Sequence, residues 1–445
     1  MVARLFAAAL EHQKRGDREP ALKAYRRVVE IAPERADAWN NLGILLGKQG
    51  KLRAAIACLR RAIAVPAPSA VHYSNLGEFL RRALRFDEAT AAFRQSLALE
   101  PERPETLHNY GLLLRDMTDT PGAVAIFNRL LERAPADASL RWERALALLA
   151  AGDLPQGFAA YESRWQAKAT MPPFPMPLWQ GEPLDAKSIL VHAEQGFGDM
   201  IQFARYVPLL EQRGARVIFA VPRELLRLFQ GLAGGATIID LSGNKPLTDF
   251  HVPAASLPHR FGTALGTIPA AIPYLRVPGT LTATLARPAG TTLAVAICWA
   301  GRPTHELDRE RSMSLEDLLP LTDLPGVALY SLQKGPRASD VAATGAAALI
   351  EDLSSQLDDF AVTSAVLMQI DVVVSVDTAL VHLAGAMGRR AFVLLPFAAD
   401  WRWLGQREDS PWYPTLRLFR QQKPGDWREV VGRVRARLDE LRAGA

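Results

Sequence analysis

The sequence predicts an all-α repeat array followed by two α/β units with parallel sheets. Three observations carry this. An Asn-Leu-Gly-like triplet recurs at a fixed step near the N-terminus; from residue 188 onward short β-branched runs alternate with helical patterns; and a proline-rich stretch separates the two regimes. At 445 residues the chain has room for two or three domains, and 49% apolar against 22% charged residues is an ordinary globular balance. The net charge of +5 favours anionic small ligands or acidic surfaces. The basic residues are dispersed, without a long Lys/Arg block, which argues against nucleic-acid binding. Cys58 and Cys298 lie far apart in apolar contexts and read as reduced core residues, not a disulfide or metal pair. No signal-peptide pattern and no uninterrupted apolar run of about 20 residues is found, so the expectation is a cytoplasmic protein without a transmembrane segment.

The repeats come first in the chain. Asn41-Leu42-Gly43, Asn75-Leu76-Gly77 and Asn109-Tyr110-Gly111 are spaced by 34 residues (75 − 41 and 109 − 75). Ala21, Ala55, Ala89 and Ala123 keep that step, as do Tyr25, Leu59, Phe93 and Phe127, while Pro33, Pro101 and Pro135 close repeats. The small residues let paired helices approach, the aromatic or Leu plugs the gap, and the proline ends the second helix. These residues resemble the tetratricopeptide repeat (TPR), which predicts an α-solenoid over residues 1–168, about four units plus a capping unit at Leu140–Trp165. Tyr161 continues the aromatic column there (127 + 34). One unit cannot bury its own apolar face, so the units must stack. Stacking puts Asn41, Asn75 and Asn109 at equivalent positions. Either they form a ladder that grips the backbone of a docked acceptor protein, or they are solvated consensus amides. An array this small suits a docking or dimerising arm, and a homodimer is one outcome.

Residues 169–187 read as a linker. Its prolines forbid helix, yet Phe174, Leu178 and Trp179 are too apolar for a free tether, so the segment is expected to lie pinned on the next domain.

In the second half, Ser188–Ala193 reads as a buried strand, followed by Glu194–Asp199 and a helix reaching about Gln212. Strands near Val217–Val221 and Thr237–Asp240 flank a helix near Arg223–Leu232. Pro269–Gly290 looks like a crossover to a second unit. Its strands are expected at Leu293–Cys298, Val327–Leu332, Leu349–Glu351, Val372–Val376 and Ala391–Leu395, and its helices at Ser314–Leu321, Asp358–Gln369 and Ala379–Met387. A terminal helix over Gly425–Ala443 carries Val430, Val431, Val434, Leu438 and Leu441 on one face. The two lobes are placed at 188–285 and 286–445.

Ligands of open parallel sheets sit beyond the C-terminal strand ends. The residues there are Gly196, Gly198 and Asp199 from one lobe, and Trp299, Gly301, Arg302, Gln333, Lys334, Asp377, Thr378, Ala379 and His382 from the other. Cations at strand ends, glycines that admit close backbone approach and a helix opening at Thr378 are what a nucleotide diphosphate needs. Each has a plainer reading: Arg302 and Lys334 as surface charges, Trp299 as core, Asp199 as a helix cap.

Gly198-Asp199-Met200-Ile201 with Pro208-Leu209-Leu210, then Asp377-Thr378-Ala379 and His382-Leu383-Ala384-Gly385-Ala386, resembles the heptosyltransferase-type GT-B glycosyltransferases. Together with the repeats, Trp299-Ala300-Gly301, Ser331–Gly335 and Asp400-Trp401-Arg402-Trp403, the chain looks like a bacterial branch of TPR glycosyltransferases. The resemblance implies a GT-B fold of two Rossmann-like domains and inverting transfer of a sugar from a nucleotide-sugar donor. It places the donor in the C-terminal lobe and the acceptor in the N-terminal one. It sets Asp199 at the catalytic-base position, where a carboxylate can take the proton of an attacking hydroxyl. The nucleotide-sugar is a substrate, so no cofactor is expected. No Asp-x-Asp occurs, and no metal is expected either. Typical heptosyltransferases carry no repeats, which shifts the expected acceptor toward a protein; some members of this architecture glycosylate proteins, flagellins among them. Two other outcomes stay open: an interaction scaffold whose GT-B half is inactive, and a transferase for glycans or glycolipids whose repeats only dimerise.

Overall fold

The computed structural model describes residues 1–168, 170–304 and 308–444. Ala169 and Ala445, end residues of the predicted linker and last lobe, lie outside them. The chain divides into two compact units, Met1–Ala147 and Leu148–Ala445.

The first unit is a series of antiparallel helix pairs: α1 (Val2–Arg15) with α2 (Arg18–Ile31), α3 (Ala36–Lys48) with α4 (Leu52–Ala64), α5 (Ala70–Arg82) with α6 (Phe86–Leu99), and α7 (Pro104–Asp116) with α8 (Thr120–Arg133). Helix α9 (Ala138–Ala151) runs across the division. The predicted columns do the packing. Tyr25, Leu59, Phe93, Phe127 and the four alanines are fully buried. A β-carbon at Gly43, Gly77 or Gly111 would sit 2.8, 2.7 or 2.9 Å from Leu59, Phe93 or Phe127, respectively. The triplet glycine is therefore the place where the second helix presses its plug into the first.

The second unit opens with α10 (Leu154–Tyr161) and α11 (Arg164–Ala167) and then holds two sheets. Strands β1 (Ser188–His192), β2 (Arg216–Val221), β3 (Thr237–Asp240) and β4 (Phe250–Pro253) form a parallel sheet in the order β3-β2-β1-β4. Around it lie α12 (Phe197–Phe203), α13 (Val207–Gln212), α14 (Leu226–Phe229) and α15 (Leu257–Arg260). The second sheet contains β5 (Leu293–Cys298), β6 (Val327–Ser331), β7 (Ile350–Asp352), β8 (Val372–Val376), β9 (Ala391–Leu395) and β10 (Leu416–Arg420). All its pairings are parallel, in the order β10-β9-β8-β5-β6-β7. Its helices are α16 (Asp308–Arg311), α17 (Leu315–Leu318), α18 (Asp340–Ala343), α19 (Phe360–Leu367), α20 (Ala379–Ala386) and α21 (Trp427–Ala443).

Two strands escape the sequence reading. β4 is short and ends in proline, and β10 reads Leu-Arg-Leu-Phe-Arg, its arginines masking an apolar alternation. β10 is an edge strand, where charge blunts unwanted pairing. The long helix expected after Asp199 is broken by a 3₁₀ turn at Ala204–Tyr206. The linker is pinned as expected: Trp179 is fully buried and its backbone N–H donates to the His251 carbonyl at 2.8 Å. Phe174 lies 4.6 Å, centroid to centroid, from both His192 and His251. His192 is thus a structural residue of the sheet, and burial beside His251 holds its imidazole down at about 3. The terminal helix buries Val430, Val431, Val434 and Leu438 in the core of the second sheet.

Candidate functional site

The strand order of the second sheet, read from its free edge as β7-β6-β5-β8-β9-β10, is the 3-2-1-4-5-6 order of doubly wound nucleotide-binding sheets. The chain reverses direction across the sheet between β5 and β8, and in sheets of this order ligands sit beyond the carboxyl ends at that point. The loop after β5 begins with Trp299, and the turn after β8 is Asp377-Thr378.

β8 is wholly buried Val-Val-Val-Ser-Val and leads straight into α20. Thr378 is the cap: its hydroxyl accepts from the Leu380 N–H at 3.3 Å and lies 3.1 Å from the Ser375 hydroxyl. The Val381 N–H donates to the Thr378 carbonyl at 3.2 Å, so the cap residue takes up two of the first amides of α20, and the positive end of the helix dipole stands at the end of β8. Two glycines let neighbours close on this helix. A β-carbon at Gly385 would lie 2.5 Å from Tyr413 Cγ, and one at Gly198 would lie 2.8 Å from His382 Cδ2 and 3.6 Å from Ala379 Cα. The start of α12, which carries Gly198 and Asp199, is thereby set against the start of α20.

At this junction Arg402 gathers the acids. Its Nη2 pairs with Asp199 Oδ1, its Nη1 donates to Asp400 Oδ1 at 2.8 Å, and its Nε donates to Gln202 Oε1 at 2.9 Å. Asp199 Oδ2 accepts from the Gly196 N–H at 2.8 Å, so the carboxylate also caps α12. Burial, reinforced by the like charge of Asp400, pushes the Asp377 carboxyl up to about 6; the Trp403 indole, Arg311 and Arg402 temper the rise. His382 is buried, stacked on Trp403 with centroids 5.4 Å apart, and its Nδ1 lies 3.0 Å from the Tyr413 hydroxyl. Burial, aided by Arg402 and Arg205, holds its pKa well below the usual range, so it is a neutral imidazole. At 3.9 Å from Asp377 Oδ1, its Nε2 is beyond hydrogen-bond reach.

Some buried donors at this junction have no acceptor. The indole N–H of Trp412 and the amide nitrogen of Gln202 lack partners, although both residues are fully buried. Buried polar groups are nearly always paired, so such a cluster fits a ligand rich in acceptors.

The repeat-derived helices contribute too. Arg164 on α11 is buried and grips Glu194 through Nε at 2.8 Å and Nη2 at 2.9 Å, with further bonds to Glu162 and Ser256. Tyr161 on α10 exchanges hydrogen bonds with Gln195 at 2.9–3.2 Å. Burial pushes its phenol up to about 12, and the charges of Arg402 and Asp199 both act on it.

Not every predicted site residue stands at the strand ends in the expected role. The Trp299 ring is fully buried and donates to Asp340 Oδ2 at 2.9 Å; it belongs to the core and cannot stack on a base. Gln333 is a clamp: Oε1 accepts from the N–H groups of Trp299 and Ala300, and Nε2 donates to the carbonyls of Ala300 and Lys334. Lys334 is exposed and donates to the Ser354 carbonyl at 2.8 Å, and Arg302 is exposed. Trp401, Trp403 and Trp412 are buried and build the junction itself. Arg402, Asp400, Gln202 and Arg311 escaped the sequence reading as site residues. The polar residues interleaved among Trp401 and Trp403 were the available signal.

In the first unit, Asn41, Asn75 and Asn109 are half-buried. Asn75 donates to Asn40 Oδ1 at 2.8 Å, Asn40 to Asn41 Oδ1 at 3.2 Å, and Asn41 to the Tyr25 hydroxyl at 3.2 Å. Asn75 and Asn41 are thus linked to neighbouring helices, Asn109 lies 3.5 Å from His108 Nδ1, and each amide retains further hydrogen-bonding capacity. An ion-pair chain, Glu78–Arg81–Asp116–Arg115–Glu143, links α5, α7 and α9.

A cavity of about 490 Å³ lies elsewhere, beside the edge strand β3, lined mainly by Leu226, Phe229, Leu232 and Ile238. Gln230 and Asp240 complete its lining.

The fold thus defines a protein that joins tetratricopeptide repeats to an α/β unit of two parallel sheets. Residues 36–65 and 109–172 match family patterns described as tetratricopeptide repeat. Such repeats point to protein–protein interaction. The chain is similar to Protein FlbA of Caulobacter vibrioides (strain ATCC 19089 / CIP 103742 / CB 15), 29% identical over 346 residues, 70% of this chain and 56% of that protein. It therefore spans about half the length of the curated relative it matches. Among solved structures it is similar to MamA (19% identity, 36% of this chain and 94% of that one, TM-score 0.33). It is also similar to Pseudomonas aeruginosa pilF (24% identity, 38% and 78%, TM-score 0.35). No described helix is long and apolar enough to cross a membrane.

Proposed function

We propose that the second unit is an inverting, metal-independent glycosyltransferase that takes a nucleotide-sugar donor, and that the repeats dock its acceptor, a cytoplasmic protein of the flagellin type for example. The observation that carries this reading is the β5/β8 switch point, with the N-terminus of α20 at the end of β8, in a unit whose buried Trp412 indole and Gln202 amide are left without acceptors. A diphosphate supplies those acceptors. In the reaction the acceptor hydroxyl oxygen attacks the anomeric carbon. The bond to the diphosphate breaks on the opposite face, the hydroxyl proton passes to a carboxylate, and the leaving diphosphate keeps the bonding pair. Asp199 is the proposed base. Its carboxylate is held in place by Arg402 and Gly196, and each oxygen retains acceptor capacity for an incoming hydroxyl. The positive end of the α20 dipole would stabilise the departing charge.

Isothermal titration against a panel of nucleotides and nucleotide-sugars tests the donor site: binding of one base class is expected, and a folded sample that binds none refutes the reading. Glycoprotein mass spectrometry of cells with and without the protein tests the acceptor class.

One observation favours a second reading, an interaction scaffold with an inactive α/β unit: both Asp199 oxygens are already engaged. On that reading Asp199→Asn leaves the cellular phenotype intact, while changes at Asn41, Asn75 and Asn109 abolish it.

A further inference from the structure

We propose that Tyr161, the last aromatic of the repeat column, is the positioning residue for Asp199, so that the final repeat is built into the site. The proposal deepens the transferase reading and rests on it for the role of Asp199 as base.

By spacing, Tyr161 belongs to the repeats. It lies one 34-residue step after Phe127 (127 + 34), inside the matched stretch 109–172. Leu59, Phe93 and Phe127 press on the triplet glycine of their own helix pair. The last pair closes differently. A β-carbon at Gly157 would lie 2.7 Å from the Leu149 side chain, so Leu149 and Gly157 make the close approach of α9 and α10. The buried Tyr161 ring turns to other partners. Its centroid lies 6.1 Å from that of Trp401, and its hydroxyl exchanges hydrogen bonds with the Gln195 amide.

Both partners lead to Asp199. Gln195 precedes Gly196, whose N–H donates to Asp199 Oδ2 at 2.8 Å. Trp401 precedes Arg402, which pairs with Asp199 Oδ1 and lies with Cζ 4.3 Å from the centroid of the Trp401 ring. Each Asp199 oxygen is thus held by a group whose chain neighbour touches Tyr161. Gln195 follows β1 of the first sheet and Trp401 follows β9 of the second. One side chain therefore sets a loop of the first sheet against a turn of the second, with the carboxylate between them. Its surroundings stiffen it. Phe158 stands edge-on to Trp401 at 5.5 Å, and Arg164 forks onto Glu194, the residue before Gln195. Burial pushes the phenol up to about 12, so at neutral pH it keeps the proton that it gives to Gln195 Oε1. A base set slightly off its line of approach loses rate before it loses substrate affinity.

The test uses the full chain as wild type, Tyr161→Phe, Gln195→Leu and the double variant. Hydrogen exchange read by mass spectrometry should run about three- to ten-fold faster over residues 194–203 in each single variant, the size of one hydrogen bond, and stay unchanged over β8 and α20. The double variant should exchange no faster than the faster single one, because both remove the same bond. Gln195→Glu keeps an acceptor for the phenol and should restore slow exchange. With the nucleotide-sugar that calorimetry selects, Tyr161→Phe should lower kcat about three- to ten-fold and leave the donor KM within about two-fold. Gln195→Glu should recover part of that loss. Wild-type exchange over residues 194–203 in both single variants overturns the proposal. So does faster exchange with a wild-type kcat, which would make Tyr161 a purely structural tie. A wild type that turns over no nucleotide-sugar refutes the transferase reading instead, and the exchange result then still decides whether Tyr161 holds Asp199.

Discussion

Gly198 lies so close to His382 that a β-carbon at position 198 would sit 2.8 Å from the imidazole. His382 cannot retreat, because Trp403 stacks on its ring and Tyr413 holds its Nδ1. Gly198→Ala must therefore push α12 away from α20. The expected cost is about 1–3 kcal/mol of stability, typical of overpacking, read by urea denaturation. Nucleotide binding should weaken as well, because the starts of the two helices separate.

The Asp377 carboxyl has a definite pH signature. Its pKa is about 6 in the folded protein, against about 3.9 for an unfolded aspartate. The folded state therefore binds the extra proton between these values, and stability contributed by this group falls as pH rises through the window. The penalty is fully present above about pH 6 and relieved below about pH 4, and amounts to at most about 3 kcal/mol. Asp377→Asn should be the more stable protein at pH 7.5, with the advantage shrinking toward pH 4.5. Parallel slopes for the two proteins in that range would refute the assignment.

Arg164 holds the loop after β1 from the helical side. Removing one member of a buried pair strands the other charge, so Arg164→Ala should cost about 3–5 kcal/mol in denaturant melts. Replacing Arg164 and Glu194 together by Met and Leu should cost less than Arg164→Ala alone, since no charge is then left unpaired in that bond. Glu162 and Ser256 keep the bond between them but still lose those to Arg164, which keeps the double variant below wild type.

In the repeats, Phe93→Ala empties a fully buried plug and should cost about 3–5 kcal/mol. The triple variant Asn41→Ala, Asn75→Ala, Asn109→Ala removes surface amides and should leave nucleotide titrations unchanged. On the transferase reading it lowers protein glycosylation in cells, read by mass spectrometry; an unchanged glycoproteome would remove the asparagines from acceptor docking.

The two units differ in how plainly the sequence announced them. A repeat is a one-dimensional property. The 34-residue step of Gly43, Gly77 and Gly111 against Leu59, Phe93 and Phe127 needed no coordinates, because each contact lies within one helix pair. The valine run of β8 and the cap at Thr378 were equally plain, since strand burial and helix entry are local. β4 and β10 were hidden because an edge strand or a short strand needs neither length nor unbroken apolarity.

By itself, then, the sequence determined the solenoid, the parallel sheets and the helix entrance at Asp377-Thr378, all written in spacing and residue type. The tertiary structure alone decided which charges meet there. Arg402 reaches Asp199 across 203 residues of chain, and Arg311 lies on Gly301. The fold also drew Trp299 and Gln333 into supporting roles. The physical reason is that a cation's partners depend on which strand ends the sheet order brings together, and that order is not carried by any local pattern.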